Sequence, residues 1–519
     1  MDRRAAVEMQ FAGQDIAWLL DQWAERRPDH PLLVWAPHEG AGRTWTYRQF
    51  VGDVRRLGAG LHERGVRAGD KVLVHADNCP EMVLAWYACA FIGAVGVTTN
   101  TRSVGAEIAY YAEKAQCVAA VTQPQYAQLV TESAPGLKWI AVAGESFDEL
   151  YGDVAACPPS PRDPLAPAGI QFTSGTTSKP KAVVHTHGNA LWAATVGPRT
   201  IDMTSDDTYL VYLPFFHVNA QSWSFWTTLG VGGTLVLQPK FSSSRFWDVV
   251  ATHGVTHISL IPFVFKAIAG QAQPENHRLR VGVFGLVVPE LEQLLKIRVL
   301  PAYGMTETVI HAISGTRWGA YAPRSMGRPT PGYDCVVVDP ETGALCGEGQ
   351  VGELWVRGHR GIQLFLEYFD NPEANQKSFT DDGWFKTGDN VRYEGGNWFF
   401  SERDKDVLKV GGENVSAREV EDVCRTVAGV GDIAVVAQSH EMLDQVAVAF
   451  VIKAPGTDVD DATLQRTLID TCAAQLADFK VPRAVYVVDS FPTSLLDKVA
   501  KNKLREMADE LAAATTTEG

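Results

Sequence analysis

Gln171-Phe172-Thr173-Ser174-Gly175-Thr176-Thr177-Ser178-Lys179-Pro180-Lys181-Ala182-Val183 gathers hydroxyls, a glycine and two lysines behind a short apolar lead-in. Backbone N–H groups, hydroxyls and ammonium groups on such a loop all suit anionic oxygen, and a polyphosphate is the ligand that uses them together. The spacing is not that of a Walker loop, since G-x-x-x-x-G-K-[ST] is missing. A serine- and threonine-rich turn without ligand has the same composition, so this run needs company to carry a function.

Other runs supply it. Ala302-Tyr303-Gly304-Met305-Thr306-Glu307-Thr308 follows a short apolar segment, and Trp384-Phe385-Lys386-Thr387-Gly388-Asp389 follows later. Next come Glu402-Arg403-Asp404-Lys405-Asp406-Val407-Leu408-Lys409-Val410-Gly411-Gly412-Glu413-Asn414-Val415 and Pro492-Thr493-Ser494-Leu495-Leu496-Asp497-Lys498. A lone T-G-D is equally a hairpin turn, and a charge run before Gly-Gly is equally a solvated hairpin. The order of all five runs along the chain resembles that of the adenylate-forming (ANL) superfamily: acyl-CoA synthetases, luciferases and adenylation domains. The resemblance covers nearly the whole chain. It is letter for letter at Tyr303–Thr308 and weakest around Val283–Pro289. Ser178 and Ala182 stand where glycine is commonest in the family, and Asp497 stands where glycine usually precedes the terminal lysine.

The resemblance implies roles. Thr173, Ser174, Gly175, Thr176, Thr177 and Lys181 would hold the phosphates of ATP. Ala302, Tyr303 and Gly304 would line the adenine, where Tyr303 offers a flat ring. Thr306 would approach the α-phosphate, and Glu307 would offer Mg²⁺ the oxygen ligand that this hard cation prefers. Asp389, an acceptor with two oxygens, would take both ribose hydroxyls, with Arg403 beside ribose or phosphate. Lys498 would bridge the substrate carboxylate and the α-phosphate. Lys405 takes the hinge position. Lys409 would act in the second half-reaction, with Gly411 and Gly412 leaving room for the pantetheine arm of coenzyme A. His217, in Tyr212-Leu213-Pro214-Phe215-Phe216-His217-Val218-Asn219-Ala220-Gln221, would gate an acyl pocket holding Asn219, Gln221 and Trp223. His185, His187 and His253 read as satisfied core histidines.

These groups must be positioned by layered elements. Lys71–His75 reads as a buried strand, and Pro80–Ile92 as a helix with an apolar face of Met82, Val83, Trp86, Cys89 and Ala90. A strand follows at Ala94–Thr98. The pattern returns with strand Thr234–Gln238, helix Ser244–Thr252, strand Thr256–Leu260 and a helix after Pro262, which predicts an α/β fold with largely parallel sheets. Pro158-Pro159-Ser160-Pro161 with Pro164 and Pro167 forms a stiff connector to the phosphate loop. From about Gly327 short segments such as Cys335–Asp339 and Val351–Arg357 alternate with glycine-rich turns, predicting a β-rich subdomain. A small α+β unit follows from Glu402 to about Met507, and Ala512–Gly519 has the composition of a frayed tail. The expected division is 1–403 for ATP and carboxylate binding, 404–406 for the hinge and 407–519 for a mobile lid.

At 519 residues the chain exceeds one core. A net charge of −15 disfavours nucleic acid or an anionic membrane as the main partner. No apolar stretch is long enough to span a bilayer, and no signal peptide or lipidation motif is read, so a cytoplasmic location is expected. The eight cysteines form no C-x-x-C pair and read as reduced core residues. The implied reaction is that of an AMP-forming carboxylate–CoA ligase using ATP, Mg²⁺ and coenzyme A. Its texture is nearest the carnitine/crotonobetaine–CoA ligase branch. The expected substrate is a small hydroxylated or zwitterionic acid. The alternatives are a medium- or long-chain fatty acyl-CoA synthetase, an enzyme loading a carrier protein, and a non-catalytic nucleotide-binding relative; homo-oligomerisation stays open.

Overall fold

The computed structural model describes residues 10–173, 179–402, 407–492 and 499–517. The chain divides into two compact units. One gathers Met1–Thr101, Tyr111–Phe172 and Ala182–Glu402; the other gathers Arg102–Tyr110, Thr173–Lys181 and Arg403–Gly519.

In the first unit, Lys71–His75 forms the expected strand because Val72, Leu73 and Val74 are apolar on both faces and are buried without remainder. It pairs in parallel with Val95–Thr98 and Cys117–Thr122. The sheet runs in the order Glu367–Tyr368, Lys181–Thr186, Pro167–Thr173, Val95–Thr98, Lys71–His75, Cys117–Thr122, Ile140–Val142. The helix Pro80–Phe91 connects the first two parallel strands and starts with proline, whose missing N–H costs nothing at that position. The expected apolar face proves too narrow: Leu84, Tyr87 and Phe91 are buried as well, so the helix is enclosed on all sides. Trp86 and Tyr87 meet edge to face at 4.9 Å, and Trp86 reaches Trp226 at 5.9 Å.

A second sheet runs in the order Arg328–Pro329, Ile313–Ser314, Arg298–Tyr303, Val281–Phe284, His257–Ser259, Thr208–Val211, Thr234–Leu237, Pro31–Trp35, Arg43–Thr46. The later strand–helix alternation is observed with shorter bounds: Thr234–Leu237, Phe246–Thr252, His257–Ser259 and Pro262–Ile268. The β-rich part is a four-stranded antiparallel sheet ordered Asp334–Val338, Val351–Arg357, Trp384–Glu394, Asn397–Glu402.

The second unit has an α+β core. Val430–His440 and Asp444–Lys453 pair over their whole length, Ala484–Val487 joins in parallel, and the hairpin Val407–Val410/Glu413–Ser416 completes the sheet. Ala417–Cys424 and Asp461–Gln475 bury Val420, Cys424, Leu464, Leu468 and Cys472 in one apolar cluster. The last helix runs Lys501–Thr517, past Ala512 where fraying was expected; alanine-rich Leu511–Ala514 is good helix former. No described helix is long and apolar enough to cross a membrane.

Candidate active site

The strand Arg298–Tyr303 carries the first part of the site to the edge of its sheet. Ala302 and Tyr303 pair with Ser314 and Ile313, so the chain leaves Tyr303, turns and returns beside it. Gly304 makes that return possible. A Cβ there would stand 2.9 Å from the Trp223 ring, 3.0 Å from the Ile310 carbonyl oxygen and 3.2 Å from His311 Cα.

Thr306–Thr308 forms one turn of 3₁₀-helix. The Thr306 carbonyl accepts from His185 Nε2 at 2.8 Å. Burial pushes His185 down to about 4, so its ring is neutral at pH 7. Glu307 is 4% exposed, and its Oε1 accepts from the Tyr368 hydroxyl at 2.8 Å. Val309 then adopts φ 65° and ψ −59°, the rarer form of γ-turn, closed by Ile310 N donating to Thr308 O at 2.6 Å. A β-branched residue there stores about 1–3 kcal/mol of strain. Tyr333, donating to Thr308 O at 2.6 Å, helps hold it.

Asp389 reaches the same place from the β-rich sheet. It is 1% exposed, and its Oδ2 accepts from the Tyr303 hydroxyl at 2.7 Å. The turn before it is pinned twice. Gly388 N donates to Glu353 Oε1 at 2.7 Å, and Thr387 Oγ1 donates to Leu354 O at 2.7 Å. Two runs far apart in sequence therefore share one hydrogen bond.

The stretch Asn219–Trp226 is a π-helix, a rare form that often marks functional sites. Just before it Gln221 N donates to His217 O at 3.1 Å, the four-residue spacing of an α-helix, and at its end Thr227 N donates to Ser222 O across the wider five. His217 is half-buried with its ring 4.6 Å from Phe216. Gln221 Oε1 accepts from Gln171 Nε2 at 3.0 Å. The Trp223 ring lies 4.3 Å from that of His311, and burial pushes His311 down to about 3.

Thr173 ends its strand and Lys181 begins the neighbouring one. Ser174, Gly175, Thr176, Thr177, Arg403, Lys405 and Lys498 lie outside the described residues. Lys409 lies in the second unit, and its backbone N–H donates to Gln445 Oε1 at 2.9 Å. Gly411 and Gly412 form the two-residue turn of its hairpin, with φ 60° and 93°. That turn geometry favours glycine irrespective of any ligand.

The donor set suits the expected ligands. No described group of three or more acidic, cysteine or histidine side chains is poised for a metal. A single carboxylate such as Glu307 is how Mg²⁺ is commonly held when substrate phosphates supply the rest. Tyr303 and Asp389 together offer a ring and a carboxylate to a nucleoside. Sequence reasoning missed Tyr368, His185 and His311. The first two act through contacts formed only by folding, and His311 offered no local signal beyond its place five residues after Thr306.

Comparison with known proteins identifies the family. The family described as AMP-binding enzyme matches residues 20–369, and the AMP-binding enzyme C-terminal domain matches residues 419–498. A crotonobetaine/carnitine–CoA ligase of Escherichia coli O157:H7 is 31% identical over 519 residues, covering 95% of this chain and 99% of its own. Among solved structures, a double mutant of o-succinylbenzoate CoA synthetase from Bacillus subtilis, bound to a product analogue, superposes with a TM-score of 0.83 at 26% identity, covering 95% of this chain and 98% of that one. Apo MatB from Rhodopseudomonas palustris gives 0.68 at 25% identity, covering 96% and 100%.

Proposed function

We propose the following reaction for a chain that belongs to the AMP-binding enzyme family: a small carboxylic acid is activated by MgATP as its acyl-adenylate, with release of pyrophosphate, and then transferred to the thiol of coenzyme A, with release of AMP. The observation that carries it is the Tyr303–Asp389 hydrogen bond of 2.7 Å, which joins two candidate nucleotide-binding runs.

In the first half-reaction a carboxylate oxygen attacks the α-phosphorus and pyrophosphate leaves. Such chemistry needs placement and charge neutralisation more than covalent help. Lys181 and the loop from Thr173 would hold phosphates, Thr306 would lie by the α-phosphate, and Glu307 would hold magnesium, which would neutralise phosphate charge. Lys498 joins the two anions. Tyr303 and Asp389 orient the nucleoside. In the second half-reaction the thiol attacks the acyl carbonyl and AMP departs, with Lys409 and the Gly411–Gly412 turn serving that step. The polar residues Asn219 and Gln221 beside His217 and Trp223 favour a short acid bearing polar groups over a long fatty tail.

The test is a panel of acids given MgATP and coenzyme A, scored by AMP and pyrophosphate. Activity on short acids is expected, and clear preference for long-chain fatty acids would remove the small-acid reading. Lys498→Ala should lower adenylation by about 10²–10³-fold or more, while thioester formation from preformed acyl-adenylate survives. Equal loss of both halves would refute its assigned role.

A further inference from the structure

The eight cysteines carry no disulfide, yet two of them meet. Cys424 ends the helix Ala417–Cys424, Cys472 lies on the helix Asp461–Gln475, and their sulfurs stand 3.4 Å apart. Both residues belong to the second unit and both are fully buried. Among the described residues no other thiol has a second thiol as its hydrogen-bond partner. Cys157, Cys335 and Cys346 turn theirs to carbonyl oxygens.

The surroundings favour a bond between the two sulfurs over a pair of thiols. The apolar cluster around them contains Val420, Leu464, Leu468 and Leu476. None of these side chains accepts a hydrogen bond, so each S–H has the opposite sulfur as its only side-chain partner. A disulfide has no S–H to satisfy and sits among alkyl groups without that cost. The sulfurs must approach by roughly 1.4 Å to bond. They lie on separate helices, so side-chain rotation and a small shift of the shorter helix supply that movement. Ionisation is helped as well. When Cys472 loses its proton, the Cys424 S–H donates to the sulfur that remains, which lowers the Cys472 pKa although burial opposes it. Access needs only a shallow opening, because Arg425 and Thr426 after Cys424, and Ala473 after Cys472, are exposed.

We propose that Cys424 and Cys472 form a redox couple: hydrogen peroxide closes them into a disulfide that fastens Ala417–Cys424 to Asp461–Gln475, and a dithiol reopens it. The Cys472 thiolate attacks one peroxide oxygen, the O–O bond breaks, and hydroxide leaves and takes up a proton as water. Cys472 is then a sulfenic acid. The Cys424 sulfur attacks the Cys472 sulfur, the S–O bond breaks, and the departing hydroxide takes the Cys424 proton as a second water. Two thiols lose two electrons, and the peroxide gains them. The closed loop holds the paired strands Val430–His440 and Asp444–Lys453, so the oxidised unit opens less often. The couple stands apart from the ligase reading and does not depend on it.

The experiment uses the purified full chain, reduced, freed of reductant and then exposed to hydrogen peroxide. Remaining thiols are alkylated after denaturation and the peptides are mapped by mass spectrometry. Alkylated cysteines should fall from eight to six, one cross-linked peptide should join Cys424 to Cys472, and dithiothreitol should restore all eight. Amide exchange across Ala417–Cys424 should slow by about ten-fold or more in the oxidised protein. Cys424→Ser removes the second sulfur, so Cys472 should stop at the sulfenic acid and take up dimedone. If that variant does not fold, the cross-link in the unaltered protein still decides. Eight surviving thiols under peroxide that oxidises N-acetylcysteine would overturn the proposal. So would equal cross-linking among other cysteines, or a Cys472 that stays a thiol in folded Cys424→Ser. A cross-link with unchanged amide exchange would overturn the fastening of the two helices.

Discussion

Lys480 and His311 are hidden to the same degree, at 4% and 3% exposure, but their surroundings differ. In the second unit, Lys480 Nζ donates to Glu107 Oε1 and, at 2.9 Å, to Glu419 Oε1. Glu107 is tied further by Val104 N at 3.0 Å, and Glu419 by its position in the first turn of Ala417–Cys424. Burial raises the Glu419 carboxyl above its ordinary range while Lys480 opposes the rise. In the first unit, His311 has an aromatic neighbour and no polar partner. The lysine cluster leaves one oxygen over, Glu419 Oε2, but its cation faces two carboxylates; a buried cluster whose charges are met from within specifies structure. One left open is shaped for something that arrives later. Exposure alone does not separate the two; the count of satisfied atoms does.

The largest effect should come from opening the closed cluster. Lys480→Met strips the cation from two buried carboxylates, and removing one partner of such a set costs about 3–5 kcal/mol. Urea unfolding should show this loss. Adding Glu107→Gln and Glu419→Gln should recover most of it, because an uncharged set no longer carries the desolvation penalty. A single variant as stable as the parent would mean that Lys480 is solvated and that the closed cluster is no constraint.

Between the two extremes lies Tyr303, whose hydroxyl bonds a carboxylate that is proposed to serve a ligand. Tyr303→Phe keeps the ring and removes the 2.7 Å bond to Asp389. A hydrogen bond to a charged group is worth about 1.5–3 kcal/mol, so KM for ATP should rise about 10- to 100-fold with a smaller change in kcat. An unchanged KM would separate Asp389 orientation from nucleotide binding and place this contact with the structural ones.

The sequence made some of this legible and hid the rest for physical reasons. Lys71–His75 was readable because a strand buried on both faces is a continuous apolar run. Tyr303–Thr308 was readable because its residue types are set by chemistry as well as by packing. The full enclosure of Pro80–Phe91 was not, since periodicity shows the face a helix must bury and not what covers the other. The π-helix Asn219–Trp226 was not, because no propensity distinguishes one extra residue per turn. The Gly411–Gly412 run was readable both as a hairpin turn and as ligand clearance; the hairpin is observed, and positive φ at both positions favours glycine whether or not a ligand needs the space. His185 was read as core. It is core, and it also grips the Thr306 carbonyl, a contact set by tertiary packing across 121 positions.

The smallest effect tests the open cluster without any substrate. Burial holds His75, His185 and His257 down at about 4 and His311 at about 3. Their folded-state values lie below the ordinary 6.5, so their neutral forms contribute stability that is complete above about pH 6.5 and is lost as pH falls toward 4. Below 6.5 the unfolded chain takes up protons that the folded chain refuses, and each such histidine adds a slope approaching about 1.4 kcal/mol per pH unit. Urea midpoints should therefore fall between about pH 7 and pH 5. His311→Phe removes one titrating ring and both unpartnered nitrogens. It should flatten that fall by one proton and stabilise the acid-free protein at pH 7 by about 1 kcal/mol, the reverse in sign of Lys480→Met. If the variant instead loses stability at pH 7 and keeps the parent slope, His311 is hydrated in solution, and the contrast between an open and a closed cluster fails.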